Sequence, residues 1–293
     1  MSFIIVGDNA CNLPVALIDR YDLKILSMTF NSGDKEYHSY LKDTEIDLAH
    51  FYRMMREGQE FTTSLISYRD CKEVLDPVIE ASDEDLLYIG FSTGLSGSFN
   101  VVSNYLAEQQ DLHPNRRFIA IDVLAASLGQ GLLTLHALQM REEGKTLDEV
   151  CDWLNANLLH MANWFTVDDL MFLFKGGRLS RASAVAGTLL DIKPTIHIDN
   201  EGALVAVGKV RNRRKSLKAL VDRMEETAIL PLDPHMVALS HGDCLEDAYY
   251  VADLICERFG ITRDDILFNV IDPVIGSHSG PGTVALFFMA RER

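Results

Sequence analysis

Hydroxyl side chains crowd two short stretches of this chain, and crowded hydroxyls suit the recognition of an anion. Ser92, Thr93, Ser96 and Ser98 fall within seven residues, interleaved with Gly94 and Gly97. The apolar run Leu86 to Phe91 before them reads as a buried strand, and the chain after Ser98 reads as a helix. A glycine-containing turn from strand into helix puts free amides and hydroxyls at the crevice edge of a parallel sheet, a setting for a carboxylate or phosphate. One helix cap accounts for one of these hydroxyls and leaves the others over. Thr62, Thr63 and Ser64, with Ser67 three residues on, precede a second predicted helix from Tyr68 towards Ile79. Alone this cluster reads as a Ser/Thr-rich N-cap, and it gains meaning only if the fold brings it to the Ser96 loop.

Three other stretches carry polar chemistry. Lys175-Gly176-Gly177-Arg178, followed by Leu179-Ser180, brackets two glycines with cations after the apolar run Leu170 to Phe174. It lacks the G-x-x-x-x-G-K-[ST] spacing of a nucleotide phosphate loop, and a tight turn with solvated charges explains it equally well. Ser277-His278-Ser279-Gly280-Pro281-Gly282 is a defined turn that could aim His278 inward. Without a partner at ligand spacing, His278 reads as a hydrogen-bond donor rather than a metal ligand. Lys209, Arg211, Arg213, Arg214, Lys215 and Lys218 form the only dense basic run. An ordinary solvated helical face explains the run, while cations entering a helix oppose its macrodipole, a small cost that would fit a docking role.

Two enzymatic readings compete. Gly94-Leu95-Ser96-Gly97-Ser98 approaches the G-x-S-x-G nucleophile elbow, so Ser96 could serve a serine hydrolase or acyltransferase with His278 as base, but the last glycine is missing. Gly129-Gln130-Gly131 suggests a dinucleotide loop, yet Thr134 stands where the third glycine belongs.

The elements that must position these residues follow from hydrophobic spacing. Phe3 to Val6, Leu86 to Phe91 and Phe118 to Ile121 are continuous apolar runs, the pattern of parallel strands buried on both faces. Leu128, Leu132, Leu135 and Leu138 mark a helix between about Ala125 and Glu143, completing βαβ logic with right-handed crossovers. Beyond about residue 160 the pattern changes. Thr195 to Ile198 and Leu204 to Val207 flank the turn Asp199-Asn200-Glu201-Gly202 as a hairpin. Amphipathic helices through Leu217–Met224 and Ala248–Phe259 follow, with strands near Ile266 to Val270 and Val284 to Met289. The expected fold class is α/β: an N-terminal parallel-sheet α/β domain over residues 1–160 and a second, α+β domain over 161–293, with a soft boundary.

Composition sets outer limits. The chain has 293 residues, 47% of them apolar, enough for sizeable cores. Its 27 basic and 43 acidic residues leave a net charge of −16, which disfavours long-range attraction to nucleic acid or anionic lipid headgroups. The five cysteines are scattered, odd in number and never spaced C-x-x-C, so a disulfide framework or structural zinc site is not expected. Met1 to Asp8 enters a strand with no basic leader, and no apolar run approaches membrane-spanning length, so a cytoplasmic location and no cofactor are expected.

Taken together, these segments resemble the DegV family of bacterial fatty-acid-binding proteins, some of which serve as binding subunits of fatty acid kinase. Val6-Gly7-Asp8-Asn9-Ala10-Cys11-Asn12-Leu13-Pro14 is similar to the family's T-D-S-x-x-D-L-P, and Thr63-Ser64-Leu65-Ile66-Ser67 to its T-S-Q-P-S. Ser92 to Phe99 is similar to S-S-G-L-S-G-T-Y. Lys175-Gly176-Gly177-Arg178, Ile192-Lys193-Pro194, Lys209-Val210-Arg211 and His278-Ser279-Gly280-Pro281-Gly282 continue in the family's order. Gly7, Cys11, Asn12 and Leu65-Ile66 depart from the pattern and bear on loop geometry and ligand choice more than on the fold. The resemblance implies a DegV-like fold with an acyl tunnel between or beneath the two domains. It implies a long-chain fatty acid whose carboxylate is held by Thr63 and Ser96, with Ser64, Thr93, Gly97 and His278 close by. It further implies a non-catalytic carrier that presents the acid to a partner kinase through Arg178 and Arg211, with transient membrane contact.

Overall fold

A computed structural model of the protein describes residues 2–42, 44, 46–179 and 192–293, and the side chains of all these except Ile192. Ser180 of the Lys175 segment lies outside the described residues. The first half runs β1 (Phe3–Asp8), α1 (Val15–Arg20), β2 (Lys24–Leu26), β3 (Thr29–Ser32), β4 (Lys35–His38), α2 (Leu48–Arg56), β5 (Thr62–Ser64) and α3 (Tyr68–Ala81). It continues with β6 (Asp85–Gly90), α4 (Ser98–Leu112), β7 (Phe118–Asp122), α5 (Leu128–Glu142) and α6 (Leu147–Asn157). Then come β8 (Met161–Thr166), α7 (Met171–Lys175), β9 (Ile192–Ile198), β10 (Leu204–Arg211), α8 (Arg213–Thr227) and β11 (Ala238–His241). The chain closes with α9 (Leu245–Phe259), β12 (Leu267–Val270), α10 (Pro273–Ser279) and β13 (Val284–Met289).

The apolar runs become a parallel sheet of order β2-β1-β6-β7. Helices cover both of its faces, which is why these strands are continuously apolar rather than alternating. The later strands form a six-stranded sheet, β10-β9-β8-β13-β11-β12, antiparallel except between β11 and β12. The β9–β10 hairpin falls where the Asp199–Gly202 turn predicts it. All strands of the parallel sheet precede Val123 and all of the six-stranded sheet follow His160, so the expected 160/161 division falls between them. The packing does not divide there. One apolar cluster joins Ile5, Leu87 and Leu132 to Met161, Ala285 and Phe287, so α5 is shared by both sheets.

A small third sheet, β4-β3-β5, has no counterpart among the elements that hydrophobic spacing predicts. Thr62–Ser64, expected as a helix cap, is instead a strand in which Thr63 pairs with Phe30 and Ser64 with Thr29. The cap is Ser67 alone, in a capping box with Asp70. Three residues are too few to show a period of two, so only pairing with β3 reveals this strand.

The two ends of the chain meet at Asp272, which caps α10. Its Oδ1 accepts from Ser39 Oγ at 2.8 Å, Asn9 Nδ2 at 3.2 Å and the Val274 amide at 2.8 Å, while its own amide donates to Asn12 Oδ1 at 3.0 Å. Burial pushes this carboxyl up to about 6 from an ordinary 3.8. The native state therefore holds a proton that the unfolded chain has released, and this group's stabilisation is lost as pH rises from 3.8 to about 6. Asp272→Asn, a neutral isostere, is expected to raise stability at pH 7.5 by about 1 to 3 kcal/mol and to be near neutral at pH 4. Urea midpoints across that range check it, and a wild-type-minus-variant difference that does not change with pH would overturn it.

Candidate functional site

A cavity of about 210 Å³ lies between the loops after β5, β6 and β7 and the inner face of the six-stranded sheet. Cross-strand pairing places Ser240, Ala285 and Phe165 in one row across β11, β13 and β8, and all three line it. The rest of the wall is mostly apolar, with Leu173, Ile198, Leu204, Val274 and Phe287 among its residues. Thr63, Ser64, Ser96, Gly97 and His278, far apart in sequence, all line this one cavity.

The hydroxyl loop resolves into separate tasks. Ser92 donates to the Gly202 carbonyl at 2.8 Å and so ties the loop to the β9–β10 turn. Gly94 is required at that contact, because a Cβ there would stand 2.5 Å from the Gly202 backbone. Thr93 is not in the cavity: it is exposed, and its amide and hydroxyl both bond Asp122, at 3.1 and 2.6 Å. The expectation that the hydroxyls as a group point into the crevice holds for Ser96 alone. Ser98 Oγ accepts from the Ile66 amide at 3.1 Å and lies 3.0 Å from Ser96 Oγ, which also accepts from the Ser98 amide at 3.2 Å. The bond between these two hydroxyls uses one of their two hydrogens, so among the described residues the pair has one O–H left to donate.

Thr63 and His278 form the second polar element. Thr63 Oγ1 and His278 Nε2 are 2.8 Å apart, and His278 Nδ1 is buried against Gly176 with no partner among the described residues. An unpartnered ring lone pair costs less than an unpartnered buried N–H, which assigns the proton to Nε2 and leaves the Thr63 hydroxyl free to donate. Burial, with the Arg178 charge nearby, pushes His278 down to about 4, so the ring is neutral at physiological pH. His278 sits on helix α10, whose start Asp272 holds, rather than on the turn that the sequence suggests.

Arg178, expected on a docking face, lies at the cavity. It lines the cavity, half-buried, with Nε donating to the Leu95 carbonyl at 3.1 Å and Nη1 to the Gly176 carbonyl at 2.5 Å. Those carbonyls hold the guanidinium at the same cavity that Ser96 and His278 line. Arg211 stands apart, exposed at the end of β10, an edge strand. The basic run around it is less uniform than its sequence. Arg213 turns inward to Asp247 and Asp168, Lys218 pairs with Asp222, and Arg214 lies over Tyr250. Among the described residues, Lys209, Arg211 and Lys215 have no ion-pair partner.

Among the described residues neither enzymatic reading finds its machinery. Ser96 bonds Ser98 rather than a base, and His278 is engaged by Thr63. Gly129 and Gly131 lie inside α5, where a Cβ would meet Asn163 Oδ1 at 2.1 Å and the Cys11 carbonyl at 2.4 Å, so they serve packing rather than a phosphate. Among the described residues no cluster of His, Cys, Asp and Glu could hold a metal, and no helix is long and apolar enough to cross a membrane.

A family model described as "uncharacterised protein, DegV family" matches residues 2–291. A DegV domain-containing protein of Clostridium perfringens is 36% identical over 98% of this chain and 97% of its own length. One of Lactococcus lactis is 31% identical over 100% and 99%. Among solved structures, a DegV protein of Thermus thermophilus described by its fatty acid binding superposes with a TM-score of 0.84 at 26% identity, covering 99% of this chain and 100% of that one. A fatty acid binding DegV protein of Streptococcus agalactiae gives 0.83 at 27%, with both chains covered in full. The match of family model, length and fold over the whole chain means that this protein belongs to the DegV family.

Proposed function

We propose that this protein binds a long-chain fatty acid in the cavity beside Ser96 and acts as a carrier rather than a catalyst. The observation that carries this reading is one cavity with a mostly apolar wall to which the fold brings Thr63, Ser64, Ser96, Arg178 and His278. Thr63 has a hydroxyl hydrogen available, the Ser96–Ser98 pair has one to spare between its two hydroxyls, Arg178 supplies a positive charge, and a neutral His278 imposes no second charge to be neutralised. Such a cluster suits one carboxylate. Burying a sixteen-carbon tail contributes on the order of 10 kcal/mol before association costs, so the mouth need only orient the acid.

The test is direct. Protein purified from bacterial cells is expected to release a fatty acid on denaturation, identified by mass spectrometry. Thr63→Ala and Ser96→Ala should each weaken palmitate binding by about 1 to 3 kcal/mol in calorimetry and should matter much less for methyl palmitate. Equal losses for acid and ester would remove these hydroxyls from carboxylate recognition. Failure of delipidated protein to bind any long-chain acid would sink the whole reading.

A carrier that orients a carboxylate at a mouth is suited to hand it to another enzyme. We assign that step to a fatty acid kinase that forms the acyl phosphate, docked on the side of Arg211, Lys209 and Lys215. The support is that these three cations are exposed and unpaired among the described residues while their neighbours in the run are engaged. Transient membrane contact for loading and release belongs to the same proposal, with Leu65, 48% exposed at the cavity, as the apolar side chain placed for it.

A further inference from the structure

The inner wall of the cavity holds a second polar site, distinct from the carboxylate mouth. Ser127 Oγ lies 3.0 Å from Ser240 Oγ, both side chains are buried, and both residues line the cavity. They come from the start of α5 and from β11, elements that carry none of the mouth residues. Two hydroxyls bring two hydrogens, and the bond between them uses one. Neither hydroxyl has another hydrogen-bond partner among the described residues, so one O–H is left without an acceptor. Ser279 Oγ, also buried and lining the cavity, has no partner among the described residues.

The backbone shows that this arrangement is imposed. Ser127 has φ 51° and ψ −142°, a conformation that favours glycine. It occupies the N-cap position of α5, where a serine would ordinarily bond the helix amides, and makes no such bond. Its hydroxyl is given instead to the cavity wall and Ser240. Unmatched hydroxyls facing an otherwise apolar chain are unfavourable, because a buried donor without an acceptor keeps its full desolvation cost.

We propose that the preferred ligand is an oxygenated long-chain fatty acid, one carrying a hydroxyl or keto oxygen along the chain that accepts the free hydrogen of the Ser127–Ser240 pair. The inference rests on the fatty-acid reading and names the substrate class of that site.

The experiment is a binding comparison on delipidated full-length protein with stearic acid, its 9-, 10- and 12-hydroxy derivatives and 10-oxostearic acid. At least one oxygenated acid should bind the wild type about ten-fold more tightly than stearate, and weaker binding of all of them than of stearate would overturn the proposal. Ser240→Ala should reduce the preference for that acid over stearate by about ten-fold, leaving stearate affinity equal or improved. Ser127→Gly, which removes the hydroxyl and relieves the positive φ, should do the same and stands in if Ser240→Ala folds poorly. Preference unchanged in both variants, or every oxygenated acid rejected by the wild type while stearate binds, would overturn the proposal and leave the fatty-acid reading standing. Failure of stearate and all its derivatives to bind would overturn both.

Discussion

Asp8→Ala is expected to lower the free energy of unfolding by about 3 to 5 kcal/mol, more than any single change at the ligand mouth. Asp8 ends β1 fully buried, and its two oxygens accept four bonds. Oδ2 takes Tyr88 Oη at 2.7 Å and the Phe91 amide at 2.9 Å, while Oδ1 takes the Ala10 amide at 3.0 Å and Gln130 Nε2 at 3.1 Å. Alanine would strand these donors in the core, and each stranded donor costs about 1 to 3 kcal/mol less whatever water can recover. Desolvation raises the carboxyl above its ordinary value, and the same four donors oppose that rise by favouring the charged form. Asp8→Asn keeps one acceptor oxygen and should cost less than alanine, with the loss falling mainly on the Phe91 amide or the Ala10 amide. The Phe91 bond anchors the start of the Ser92–Ser98 loop, so the alanine variant should also weaken fatty acid binding. Urea unfolding at pH 7 measures the first effect. A loss below about 1 kcal/mol would mean that the donors find other partners and that Asp8 is not the anchor of this edge.

Arg211→Glu is expected to abolish acyl phosphate formation with a fatty acid kinase, on the proposed docking reading, while palmitate affinity stays within about three-fold of the wild type. The basis is geometric: Arg211 is exposed on an edge strand and is not among the residues lining the cavity. Arg178→Glu should behave differently. Because Arg178 lines the cavity and sits beside His278, a carboxylate there would repel the ligand, so both binding and phosphorylation should fall together. The two variants thus separate docking from ligand recognition. Wild-type phosphorylation by Arg211→Glu at physiological salt would return the Lys209–Lys218 run to an ordinary charged face.

The elements with the longest patterns are legible in the residues themselves. The three apolar runs of the parallel sheet, the helix through Leu128–Leu138 and the Asp199–Gly202 hairpin each carry their own period or turn chemistry. Burial on both faces or on one stripe writes itself locally into the residues. The short elements are not legible in this way. The three residues of β5 gain strand character only from β3, and α10 reads as a turn because its seven residues are followed by Gly280-Pro281-Gly282.

The candidate site divides along the same line. Hydroxyls at a strand-to-helix turn and an isolated histidine can be nominated from residue type, and Thr63, Ser96 and His278 do meet at one cavity. Residue type cannot say which hydroxyls face it. Ser92, Thr93 and Ser98 are equal to Ser96 as letters, yet each is taken by a partner distant in sequence: the Gly202 carbonyl, Asp122 and the Ile66 amide. Arg178 belongs to the cavity rather than the surface for the same reason, since only the folded chain sets the Leu95 carbonyl beside it. The Ser127–Ser240 pair joins residues 113 positions apart, and neither carries a local signal. Residue patterns alone thus suffice for the family, the α/β layering and the chemical character of the mouth, because periodicity and turn chemistry are properties of neighbours along the chain. Which polar groups are spent on the fold and which remain for a ligand is settled only in three dimensions, because a hydrogen bond depends on what lies within about 3 Å in space, wherever in the chain it comes from.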